Sequence, residues 1–182
     1  ASRGLVSLKP RIGATVNDYR KEGSISLLAS LIQYQKGKLE PELLESLLEM
    51  RMHLEPVFAR LAAQNRTEEQ IRELYEIIHN EEDASSREIQ KITSLDFEFH
   101  LIIAMASGNV VYPLLLNSFR PVYTNLSSQF FHDPRVTAAV HKYHRNTARA
   151  IESGDGKKAA SVMKELLRHG ETHLRAMIDR DM

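Results

Sequence analysis

Apolar residues recur along most of this chain at intervals of three and four, the spacing that lines one face of an α-helix. Leu44, Leu47, Leu48, Leu54, Phe58 and Leu61 make one such stripe. Pro41 suits its first turn, and Pro56 predicts a kink within it. Thr67-Glu68-Glu69-Gln70 has the form of a capping box and opens a second stripe through Ile71, Leu74, Ile77 and Ile78. A third helix is expected from Ser85 or Ser86 to Gly108-Asn109, with Ile89, Ile92, Phe99 and Ile103 on its inner side. Helix continues from Val110 to about Phe131, interrupted by Pro113 and Pro121. Asp133-Pro134 is a cap followed by proline at the first helical position, opening a helix to Gly154, and Asp155 caps a last one to about Ile178. Upstream, Ser24 caps a segment to about Gln35 that Gly37 ends. With connections this short, the pattern predicts an all-α antiparallel bundle of about six or seven helices.

The N-terminus scans differently. Leu5-Val6-Ser7-Leu8 and Ala14-Thr15-Val16 are β-type runs flanking a turn-like Lys9-Pro10-Arg11-Ile12-Gly13. A lone hairpin is marginal by itself, so it reads either as the remnant of an upstream domain or as a frayed end. The expected division is residues 1–20 as remnant and linker, and 21–182 as the helical domain.

Four polar residues interrupt the apolar stripes. Arg51 falls among Leu44, Leu48 and Phe58; Asp96 and His100 fall one turn apart among Ile92, Phe99 and Ile103; His144 falls with Val140, Thr147 and Ile151. Ionisable groups on a buried face cost several kcal/mol unless something pairs with them. A bundle that joins these faces encloses a carboxylate, two imidazoles and a guanidinium. Aspartate with neutral imidazoles suits Zn, Ni, Mn or Fe, and a buried arginine suits a carboxylate or phosphate. The bland readings are an Asp96–His100 hydrogen-bonded pair, a satisfied core His144, and Arg51 paired with Asp96 or Glu55.

Composition narrows the classes. No apolar run is long enough to cross a bilayer, and no signal-peptide pattern opens the chain. Lys plus Arg equals Asp plus Glu at 24 each, so the chain has no basic surplus with which to grip nucleic acid itself. Cysteine is absent, which excludes disulfides and thiolate chemistry and fits a cytoplasmic protein without requiring one. No glycine-rich phosphate loop, nucleophile motif or zincin signature is present.

The ordered set Asp96, Phe99-His100, Ala106-Ser107-Gly108-Asn109, His144, Ala150-Ile151, Gly154-Asp155, Ala159 and Met163 resembles the C-terminal effector-binding (FCD-type) domain of FadR-like, GntR-superfamily transcription regulators. Arg51 with Leu54-Glu55 and Ala62-Ala63 resembles that family's first long helix, and the match runs from about Ile25 to Met177. The resemblance implies a cytoplasmic homodimer that senses a ligand and is not an enzyme, reaching DNA only through a winged-helix domain of which the hairpin is the final wing. It implies a divalent metal (Zn, Ni or Mn) on Asp96, His100 and His144. The family's further histidine in the last helix corresponds to Leu166, with His169 as the nearest replacement. It also implies effector contacts from Arg51, Tyr112, Asn117 and Tyr123. Two effectors remain open, a small organic acid, with or without the metal, or a fatty acyl-CoA in a metal-free cavity. A metal-dependent enzyme is a weaker alternative, because Glu98 should point away from the cluster.

Overall fold

In the computed structural model, which describes residues 5–11, 13–24, 27, 41–85 and 87–178, the β-type runs pair as an antiparallel hairpin. β1 (Val6–Lys9) lies against β2 (Gly13–Val16), with Val6 opposite Val16 and Lys9 opposite Gly13. Asn17 N–H closes the open end on the Leu5 carbonyl at 2.9 Å. Asp18 then caps a one-turn helix, α1 (Tyr19–Glu22). These belong to one compact unit, residues 1–39, and residues 40–182 form another. Most of the helix expected between Ser24 and Gln35 lies outside the described residues.

The second unit is the all-α antiparallel bundle. Its described helices are α2 (Pro41–Asn65), α3 (Glu68–Asp83), α4 (Ile89–Ala106), α5 (Val111–Ser118), α6 (Arg120–Phe130), α7 (Pro134–Glu152) and α8 (Gly156–Ile178). Thr67 and Gln70 form the reciprocal capping box at the start of α3, and Asp133 and Asp155 accept backbone N–H bonds at the starts of α7 and α8. Two boundaries differ from expectation. The inner helix begins at Ile89, because Ser85 N–H donates to the Glu88 carboxylate at 2.8 Å and Glu88 N–H donates back to the Ser85 carbonyl at 2.8 Å. Pro113 and Pro121 do not interrupt one helix. Each sits in the first turn of its own helix, where a missing N–H is harmless, and the break falls at Phe119.

Antiparallel register can be read from cross-helix bonds. Tyr75 Oη donates to Glu152 at 2.5 Å while Glu81 meets His144, so α3 and α7 run oppositely. Arg175 pairs with Glu45 near one end of α8, and at the other end a Cβ on Gly156 would come within 2.9 Å of the Arg60 carbonyl. Ala59, Ala62 and Ala63, buried on α2, permit the close approach. α4 occupies the interior, packed against α2, α3, α5 and α6, with Phe97, Phe99 and Ile103 sealed. Two polar clasps close one end of the bundle. Asn65 Nδ2 donates to the Ser107 carbonyl at 2.6 Å, and Arg66 donates to Ala63 O at 2.6 Å and Glu152 O at 2.8 Å. Beside Arg66, Gly154 ends α7 at φ +76°, the left-handed conformation that a helix terminator of this type needs.

Candidate functional site

α2, α4 and α7 bring Arg51, Asp96, His100 and His144 to one interior place. Ligand atoms of Asp96, His100 and His144 lie within 4.8 Å of one another, and all three side chains are buried. Arg51 stands beside them. Its Nε donates to Glu55 Oε1 at 2.5 Å, and its guanidinium lies 4.4 Å over the Tyr123 ring. Tyr123 Oη donates to Asp96 Oδ2 at 2.7 Å and lies 3.4 Å from an Arg51 nitrogen.

Two buried glutamates stand behind the imidazoles. Glu55 Oε2 faces His100 Nδ1 in a close contact that is not aligned as a hydrogen bond. Glu81 accepts from His144 Nδ1, with oxygens at 2.9 and 3.0 Å. The His144 ring stacks on Phe99, centroids 3.8 Å apart and planes 15° from parallel. Its other nitrogen, Nε2, is buried, has no hydrogen-bond partner, and lies 3.6 Å from Asp96 Oδ1.

The electrostatics are of a compensated interior. Burial alone would raise the Glu55 carboxyl, but Arg51 and then His100 outweigh it and hold it down to about 2. Burial works against charge on Arg51 as well, and Glu55 more than restores it, lifting the guanidinium above its ordinary value. Burial and then the Asp96 carboxylate push the Tyr123 phenol well above 10.0. Burial lowers His144, and the Glu81 carboxylate overcomes it, for a net rise above 6.5. Three carboxylates (Glu55, Glu81, Asp96) converge on one guanidinium and two imidazoles. That donor set, with an orphaned imidazole nitrogen beside Asp96, fits a divalent cation held by Asp96, His100 and His144.

A cavity of about 60 Å³ adjoins this cluster. Arg51, Asp96, His100 and Tyr123 form its polar end; leucines of α2, α6 and α8, among them Leu47, Leu126 and Leu167, line its wall together with Phe119, Val122 and Phe130. Leu166, at the position of the family's further histidine, lines the same cavity as an apolar group. The remaining expected residues lie elsewhere. Tyr112 packs its ring on Phe58 at 4.4 Å, and Asn117 is exposed on α5. His169 stands half-buried against Phe130, Tyr143 and His173, outside the Asp96 cluster. Glu81 escaped the sequence reading, although it continues the Leu74–Ile78 stripe at helical spacing.

Residues 46–169 match the FCD domain family, well over half of the chain. The chain belongs to the FCD family. The HTH-type transcriptional regulator Mce2R of Mycobacterium tuberculosis is 29% identical over 182 residues, covering 98% of this chain and 73% of that protein. The fatty acid metabolism regulator protein of Erwinia tasmaniensis is 26% identical over 130 residues, covering 71% of this chain and 52% of that protein. Among solved structures, Streptococcus agalactiae GntR aligns with a TM-score of 0.62 at 26% identity, covering 92% of this chain and 74% of that one. The FCD domain described here is of the GntR, FadR-like kind, an effector-binding domain of transcription regulators and not an enzyme. Among its described residues no helix is long and apolar enough to cross a membrane.

Proposed function

We propose that this FCD domain senses a small organic acid, with a divalent cation (Zn, Ni or Mn) on Asp96, His100 and His144 and Arg51 gripping the acid's carboxylate. The observation that carries the reading is the meeting of Arg51 with Asp96 and His100 at the polar end of one small cavity, with His144 grouped beside them. A cavity of about 60 Å³ is far below the ~300–1,000 Å³ of sites for drug-sized ligands, which favours an acid of few carbons. Tyr123, between Arg51 and Asp96, is placed to touch both the acid and the cation ligand. On this reading the protein is a cytoplasmic homodimer. Residues 1–20 are the last wing and linker of a winged-helix DNA-binding domain, a role supported by the exposed Leu8 and Val16 on the hairpin. Effector binding acts on DNA affinity only as far as the acid binds one arrangement of the dimer more tightly than the other.

A second reading, a fatty acyl-CoA in a metal-free cavity, is favoured by the similarity to the Erwinia fatty acid metabolism regulator and by the leucine-rich wall. Native mass spectrometry with elemental analysis of the purified protein separates the two. A stoichiometric divalent metal without an acyl chain supports the first, and an acyl-CoA without metal supports the second.

A further inference from the structure

His144 is the most tightly constrained of the three residues in the cluster. Its ring is sandwiched on Phe99, fully buried, and bonded at Nδ1 by a glutamate whose own exposure is 1%. The Glu81 carboxylate has His144 as its one hydrogen-bond and ion-pair partner among the described residues, with His141 within reach of its charge, unlike Glu55, which divides its two oxygens between Arg51 and His100. A carboxylate is an acceptor only. A neutral imidazole facing it must therefore carry its proton on Nδ1, which leaves the Nε2 lone pair bare. That lone pair is the orphaned nitrogen 3.6 Å from Asp96. The neighbouring pair, Glu82 with Arg145, clasps the same two helices one residue further on at the surface. The α3–α7 register thus delivers one solvated clasp and one buried one. The buried one costs desolvation of a carboxylate in return for a fixed imidazole.

We infer that Glu81 is a positioning residue for cation binding, holding His144 in the Nδ1–H tautomer with Nε2 aimed at the space shared with Asp96 and His100. The inference rests on the cluster being a cation site. Outer carboxylates of this type orient imidazole ligands and raise their basicity, and losing one costs roughly 10–100-fold in metal affinity. A carboxylate serving stability alone would leave metal affinity unchanged.

The test uses the whole chain and Zn²⁺ as probe. Competition with a chromophoric chelator should show Glu81→Leu weakening Zn²⁺ binding by about 10–100-fold. Glu81→Gln, which keeps an oxygen acceptor and the side-chain shape, should recover most of that loss. Nitrogen-15 imidazole shifts of the metal-free wild type should report a proton on Nδ1 of His144, a readout that needs no variant to fold. A wild-type His144 protonated at Nε2, or Zn²⁺ affinities equal in the wild type and Glu81→Leu, overturns the role of Glu81 while leaving the cation reading intact. A wild type that binds no Zn²⁺ overturns both.

Discussion

Among the ionisable pairs that stand one turn apart on helices of this domain are Asp96 with His100 on α4 and His169 with His173 on α8. Spacing alone makes them equivalent. Across from the α4 pair lie His144, Glu55, Glu81 and Arg51, all brought by helices that present polar groups at the same depth. Across from the α8 pair lie Phe130 and Tyr143, and His173 Nδ1 bonds back to the carbonyl of its own helix at 2.9 Å. A one-turn pair becomes a ligand set only when the facing helices supply both a third donor and the charges that compensate it.

The strongest way to break that contrast is by removing donors. Asp96→Ala and His144→Ala should each weaken Zn²⁺ binding by more than ~100-fold, since even an outer-shell loss costs up to that much. His169→Ala and His173→Ala should each stay within about twofold. Equal losses from both pairs, by chelator competition, would erase the distinction.

Arg51→Ala probes the compensation instead. It leaves the buried Glu55 carboxylate facing His100 alone, and urea unfolding should register a loss of about 3 kcal/mol. Replacing both partners, Arg51→Met with Glu55→Leu, should return most of it, because the buried Glu55 carboxylate leaves together with its cation. A fall below about 1 kcal/mol for the single variant would mean that His100 or water compensates Glu55 without Arg51.

A smaller gain is expected from Leu166→His. It places an imidazole on the wall of the cavity that already holds Asp96 and His100, and Zn²⁺ affinity should rise by about tenfold as the set moves from three protein ligands toward four. An unchanged affinity would show that position 166 does not point at the cation.

The smallest effect concerns pH. Burial, and then His173, lower the His169 ionisation below 6.5. The unfolded chain therefore binds a proton that the folded one resists, so His169 costs stability increasingly as pH falls from 6.5 to its depressed value and costs nothing well above 6.5. In imidazole NMR its ring should titrate below 6.5, and His169→Gln should flatten the acid side of the stability curve slightly. A midpoint at or above 6.5 contradicts the burial seen here.

Most of the fold was legible because the α3, α7 and α8 caps and the long stripes act locally. Thr67 to Gln70, Asp133-Pro134 and Asp155 sit where they were expected. Arg51, Asp96, His100 and His144 stood out because each interrupts an apolar face. Glu81 did not, since it falls in Asn80-Glu81-Glu82-Asp83, a run that looks like a solvated helix end, and only the packing of α7 on α3 distinguishes it from Glu82. Asn117 and Tyr112 failed to reach the cavity for a related reason. They lie on a short helix whose rotation is set by Phe119 and the packing on α4, neither of which periodicity reports.

The Arg66 guanidinium ties the carbonyl ends of α2 and α7 with two bonds, so neither helix can slide along the other without breaking one. Any tilt about that corner, the pivot, is magnified along α2. Arg51 lies fifteen residues up α2, ~22 Å from the pivot at 1.5 Å per residue. A tilt of only ~3° carries its guanidinium ~1 Å, as long a stroke as a grip on a carboxylate would notice.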